Sequence, residues 1–197
     1  MKKIIGLFSL MLICLVAGAQ NIKVMSGSLA PLKGEKSVST SFTYDNLKVG
    51  KMTEQDYVSD KIKEYNSKKA GSGDQWHQNW IKDRSSRFEP KFNELFDKYL
   101  SEKGIKVEDG AKYKFIINTD FIEPGFNVGV ARRNAAINLT CRLIDTSDGS
   151  QVALVMIMNS SANSFSGTDF DSGYRIQECY AKAGRELAKF IIKECKL

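Results

Sequence analysis

The sequence predicts an α+β domain in two layers: a mainly antiparallel four-stranded sheet with helices packed on one face, in the order β-α-α-β-β-β-α. Three observations predict it. Residues 112–122 and 135–145 alternate apolar and polar side chains, the period of half-buried strands. Apolar residues from Trp76 to Leu100 recur at three- and four-residue steps, the period of an amphipathic helix. A second such run, from Tyr174 to Lys193, closes the chain.

Taken in order, residues 1–19 read as a secretory signal. Lys2 and Lys3 precede an apolar run from Ile4 to Val16, and Ala17-Gly18-Ala19 offers small residues for cleavage. The run is shorter than the roughly 20 residues that span a bilayer. Cys14 lies inside it behind Ile13, an unsuitable setting for lipid attachment, so cleavage near Ala19 is expected instead, with the product periplasmic or secreted. The Ala-Gln junction resembles those of Bacteroides-like bacteria. Residues 20–36, with Gly27, Pro31 and Gly34, read as an irregular lead-in, and 37–197 as one domain.

Within that domain, Val38, Thr40, Phe42 and Tyr44 alternate on one strand face. Thr53 opens a capping box before a short helix to about Asn66. A polar, glycine-containing link (66–74) ends at Asp74, which can cap the long stripe begun by Trp76 and Trp80. Pro90 interrupts that stripe, so the helix either kinks there or restarts with the proline in its first turn. Tyr113, Phe115, Ile117 and Phe121 share a face of the next strand; Ile137, Leu139, Cys141 and Leu143 point inward from its successor. An Asp-Gly turn at 148–149 leads to Val152–Met158, apolar on both faces. In the last helix Ile176, Tyr180, Ala183, Leu187, Phe190 and Ile191 fall on one side.

Without its first 19 residues the chain has 178, with 27 lysines and arginines against 23 acids. That mild basic excess is scattered rather than gathered in a stripe, which argues against nucleic acid as a partner. No later segment is long and apolar enough to cross a membrane. Cys141, Cys179 and Cys195 leave room for one bridge at most. Cys179 and Cys195 lie about 24 Å apart on a continuous helix, beyond disulfide reach. A bridge therefore falls to Cys141–Cys179, the alternative being buried free thiols.

The stretch "FIEPGFNVGVARRNAAINLTCRLIDTSDGSQVALV" and the closing "AKAGRELAKFIIKEC" resemble small envelope domains of unknown function in bacterial secreted proteins and lipoproteins. Their pattern falls here on Glu123, Pro124, Gly125 and Arg132 or Arg133, then on Leu143, Asp145 and Gly149. A more distant likeness, of fold type only, is to the periplasmic domain of curli-secretion lipoproteins and the amino-terminal domain of the translocation protein TolB. The resemblance implies envelope association and protein partners rather than catalysis, although this signal lacks the lipid-attachment cysteine its relatives often carry.

Chemistry finds little foothold. His77 is the sole histidine, with no GxSxG motif near it. "TDFDSG" (168–173) begins like a calcium loop, but from Asp169 the sixth and twelfth positions are tyrosines, so a helix cap at Asp171 or Ser172 fits better. No metal or cofactor is expected. Gly125 and Gly129 match neither a P-loop nor a dinucleotide fingerprint. Residues 123–139 read instead as a strand connection exposing Arg132 and Arg133. Trp76 and Trp80 continue the core stripe, or form a stacking platform for sugars or peptides. The expected function is a non-catalytic envelope module holding a protein partner. The alternative is an anionic-ligand module, for lipopolysaccharide or an acidic glycan, through Arg132, Arg133, Lys112 and Lys114; a hydrolase comes third.

Overall fold

A computed structural model describes residues 21–127, 131–161 and 172–197. The readings of the signal, of Cys14, of Gly129 and of the calcium-like Asp169 lie outside those residues.

The first departure from expectation is in residues 20–36. Asn21–Gly27 is a strand (β1), followed by a 3-10 turn at Ala30–Leu32. Only Ile22 and Val24 turn inward from β1, and a bulge at Met25 breaks the alternation, which is too little pattern to signal a strand. Next come β2 (Ser37–Thr43) and the short β3 (Lys48–Val49) and β4 (Met52–Thr53). Helices α1 (Glu54–Lys68), α2 (Ser72–Asp83) and α3 (Glu89–Ser101) follow. The remainder is β5 (Lys106–Val107), β6 (Tyr113–Glu123), β7 (Phe126–Asn127), β8 (Arg132–Arg133), β9 (Ala136–Asp145), β10 (Gln151–Ser161) and α4 (Ser172–Cys195).

The class is α+β, but the sheet is larger than the expected four strands and mixed, with parallel pairings beside its antiparallel ones. It has eight strands in mixed directions, ordered β1-β10-β9-β6-β2-β5, with β3 on β6 and β4 on β3. β6, β9, β10 and β1 run antiparallel in succession, while β2 is parallel to both β5 and β6. The helical crossover from β2 to β6 forces the parallel pairing, since a chain that returns over one sheet face re-enters in the same direction. The two-residue strands carry no periodicity to read.

The core lies between the sheet and α3–α4. Phe92, Phe96 and Leu100 of α3 face Phe115 and Ile117 of β6, and Ile137, Leu139, Cys141 and Leu143 of β9 are fully buried as expected. Phe121 is not on that face. A bulge between Thr119 and Phe121 shifts the register, so Thr119 and Ile122 turn inward. The buried Thr119 hydroxyl is satisfied by the Tyr180 hydroxyl at 2.6 Å. Of Val152–Met158, β10 buries only Ala153, Val155 and Ile157, with Ser160 buried beyond them; Met158, on its other face, is 40% exposed. Helices α3 and α4 cross in close contact at Gly184, where a Cβ would stand 2.2 Å from the Phe92 carbonyl oxygen.

Cys141, Cys179 and Cys195 are buried thiols, the alternative to a Cys141–Cys179 bridge. The Cys179 and Cys195 thiols donate to the carbonyls of Arg175 and Leu29, and burial pushes the Cys141 thiol well up. No helix among the described residues is long and apolar enough to cross a membrane.

Candidate functional site

The Pro90 question resolves into a restart. α2 runs into a five-residue π-helical interval, Arg84–Phe88, and α3 begins with Pro90 in its first turn. Widening the helix here sets two groups of side chains in different directions. Arg84 turns inward: it pairs with Glu54, lies 4.1 Å over the Tyr44 ring, and shares Glu54 with the Trp80 indole N–H, which donates at 2.6 Å. Tyr44 in turn donates to Glu89 at 3.2 Å. Burial raises the Tyr44 and Tyr180 phenols well above their ordinary value, so both stay neutral in this network. Phe88 stacks on Tyr180 with ring centroids 5.1 Å apart.

Ser86 and Arg87, on the outer side of the interval, meet the α1–α2 hairpin. Its turn is tight: Ser72 Oγ donates to the Tyr65 carbonyl and Asn66 Oδ1 accepts from the Gly73 amide, each at 2.8 Å. α2 starts at Ser72, two residues before the expected cap Asp74, which lies in the first turn. Gly73 lets the helices approach, since a Cβ there would lie 2.3 Å from the Ile62 carbonyl oxygen. At the other end Thr53 caps α1 as expected, its Oγ1 accepting from the Asp56 amide at 3.1 Å.

Between hairpin and π-interval lies a cleft of about 670 Å³, closed at one end by Ser172 and Gly173 of α4. Its wall is a column of rings. Tyr65 stacks on Trp76 at 5.9 Å and Trp76 on Trp80 at 5.7 Å, while Tyr57 packs against both tryptophans at 5.9 and 5.5 Å. Asn79, Lys82, Asp83, Ser86 and Arg87 supply the polar lining. Asp83 accepts from Arg87 at 3.2 Å, and Lys82 makes no ion pair among the described residues. On the rim, Lys61 and Lys68 grip Glu64 at 2.8 and 2.7 Å, pull its carboxyl down to about 2, and lie over the Tyr65 ring.

The two tryptophans differ in burial. Trp80, 4% exposed, belongs to the core, and half-buried Trp76 offers its ring to the cleft. His77, next to Trp76 in sequence, is not among the residues lining the cleft. Asn79, Asp83, Ser86 and Arg87 follow Trp76 at helical steps, so their shared face was legible. Tyr65 comes from the other helix, and no local pattern marks it.

The four cations chosen for an anion site do not meet. Arg132 and Arg133, both exposed, pair antiparallel with Phe126 and Asn127 in a separate two-stranded sheet. Its base is fixed by Glu123, which accepts from Arg133 at 2.9 Å and from the Gly125 amide, and by Arg175, which donates to the Pro124 and Gly125 carbonyls. Lys112 precedes the opposite end of β6, about 36 Å away at strand rise, 4.0 Å from Glu35. Lys114 lies on the sheet face away from α3 and α4. Among the described residues no cluster of His, Cys, Asp or Glu can hold a metal.

No protein-family model matches the chain, so the resemblance seen in residues 112–195 identifies no family. No curated protein matches it either. Solved structures do show likeness. The PelC dodecamer from Paraburkholderia phytofirmans is 15% identical, covers 83% of this chain and 96% of its own, and has a TM-score of 0.39. A Helicobacter pylori structure named as a homolog of neuraminyllactose-binding hemagglutinin is 12% identical, with coverage of 87% and 93% and a TM-score of 0.38. A Caulobacter crescentus structure named as a lipoprotein is 17% identical, with 54% and 79% covered and a TM-score of 0.35. Likenesses this distant assign the chain neither a ligand nor a partner.

Proposed function

We propose that this protein is a non-catalytic envelope module that holds a protein partner in the cleft beside Trp76. One observation carries the reading: a half-buried indole, stacked on both sides, stands in a concave site with a free ammonium (Lys82) and a guanidinium (Arg87). Tryptophan, tyrosine and arginine in a partly desolvated pocket are the residues that carry most binding energy at protein interfaces. The same lining offers little for turnover. Its one carboxylate is held by Arg87, and no histidine or thiol faces it among the described residues. The envelope setting rests on the sequence of residues 1–19.

The test is a photo-crosslinking amino acid at Asn79, exposed on the cleft wall, in cells of the source organism. The expected result is one discrete adduct that disappears when Trp76→Ala is added while far-UV circular dichroism stays unchanged. Turnover of any substrate in a broad hydrolase screen, abolished by the same change, would reverse the reading.

A second reading, an acidic glycan or lipopolysaccharide at Arg132 and Arg133, is favoured by their exposure on the two-stranded sheet, where the Arg133 side chain is 63% exposed. Arginine forks suit carboxylate and phosphate oxygens. Salt-sensitive binding on a glycan array should then fall with Arg132→Ala plus Arg133→Ala; unchanged binding removes this site.

A further inference from the structure

The sheet ends on β1, and among the described residues no strand pairs with its outer edge. An open edge presents a row of backbone N–H and C=O groups that a further strand can use. At the start of this strand, beside Asn21 and Ile22, a groove of about 600 Å³ lies between β1 and α4. Ile22 and Phe190, both partly buried, supply its apolar surface, and Lys182, Lys189 and Lys193 its charge. Their positions on α4 fall on one side at 100° per residue.

The balance of charge is one-sided. Glu186, the only acid in the lining, is already engaged by Arg185 at 2.8 Å and Lys189 at 3.6 Å. Lys182 donates to a neutral acceptor, the Ser161 carbonyl, at 2.8 Å. Lys193 makes no ion pair among the described residues. We propose that the groove takes an extended acidic segment of a partner protein, which adds to the edge of β1 as a further strand. Side chains of an added strand alternate between faces, so acids at every second position share the layer of Ile22 and meet the lysines of α4. Strand addition supplies backbone hydrogen bonds for affinity, and the lysine row supplies selectivity. A second copy fits poorly: pairing β1 with β1 would bring two lysine rows together. The site is separate from the cleft and does not depend on it.

The test uses the secreted form beginning at Gln20, which holds every described element. The probe is a ten-residue peptide of alternating valine and aspartate. The expected result is calorimetric binding with slowed amide hydrogen exchange in Asn21–Gly27, weakened about tenfold or more by Lys189→Glu plus Lys193→Glu in a protein with unchanged circular dichroism. A peptide with lysine for aspartate, and one interrupted by proline, should bind at least as weakly. Equal binding of either control, unchanged binding by the double variant, or no protection in β1 overturns the proposal. So does β1 protection that appears without peptide and scales with dimerisation, which would make the occupant a second copy.

Discussion

Two helical regions of this protein are held by different means. α4 buries residues along its length, from Ile176 to Cys195, against the sheet and α3. α1 buries none; it is joined to the molecule by α2, by its capped start next to β4, and by the ring column at Tyr57, Tyr65, Trp76 and Trp80. The body is thus secured by apolar area, and the hairpin by stacked rings, the buried Trp80, the Glu54–Arg84 pair and one close backbone approach. Both tryptophans of the chain are in the hairpin. Indole fluorescence therefore reports on the hairpin and on its seat in the core, where Trp80 is buried, and far-UV circular dichroism on the whole molecule.

The largest effect is expected from emptying the body. Phe96 is fully buried, in ring contact with Phe92 and Phe115 at 5.5 and 5.8 Å. Phe96→Ala should cost about 3–5 kcal/mol, with fluorescence and circular dichroism lost at one denaturant midpoint. If fluorescence survives that transition, the hairpin is the more independent of the two.

Gly73→Leu asks the opposite question. The new side chain cannot fit beside the Ile62 carbonyl, so α1 and α2 must part, at a cost of about 1–3 kcal/mol. The expected outcome is red-shifted indole emission and a separate early transition, with the main circular-dichroism midpoint nearly unchanged. A single lowered midpoint seen by both probes would mean that hairpin and body unfold as one.

Alkali should act on the hairpin through Tyr57. Burial, then the neighbouring Tyr65 and Glu123, push its phenol up to about 12, against the opposing Arg175. The folded state thus holds the proton more tightly than the unfolded chain does. Its contribution is complete below pH 10 and is lost as pH rises from 10 through about 12. Tyr57→Phe should abolish the change in indole emission in that window and leave the alkaline transition of the body, carried by Tyr44 and Tyr180, in place. An unchanged emission curve in the variant would place the sensitive phenol elsewhere.

The smallest effect belongs to Glu64. Its carboxyl is lowered to about 2 by Lys61 and Lys68, so what it contributes is present above its ordinary 4.5 and fades as pH falls through about 2. The group is exposed, so solvent screens the pair, and Glu64→Gln should leave the neutral-pH midpoint almost where it was. A clear drop would give the rim a structural weight that its exposure does not suggest.

The body was the more legible region because burial writes a period into the chain. Every inward residue expected in β9 is buried, and α4 follows its expected stripe except at Phe190, which is only partly buried. Where a bulge resets the period, at Met25 and after Thr119, the reading failed: β1 went unseen and Phe121 was placed on the wrong face. In the cleft, the sequence picked out Trp76 and Trp80 but not Tyr65 or Lys82. An exposed polar residue on a helix looks alike whether it faces water or a site. The proposed anion cluster had the reverse fault: Lys112 and Lys114 are near Arg132 in number but at the far end of a long strand.

The sequence alone determined the α+β class, the helices and the long strands, because each is a local pattern of apolar spacing, capping and turn chemistry. Tertiary structure decided the parallel placement of β2, the addition of β1 at the sheet edge, the burial of Trp80 beside a half-buried Trp76, and the burial of the cysteines as thiols. Those outcomes depend on which surfaces meet across long separations in the chain, and no short stretch of sequence encodes that.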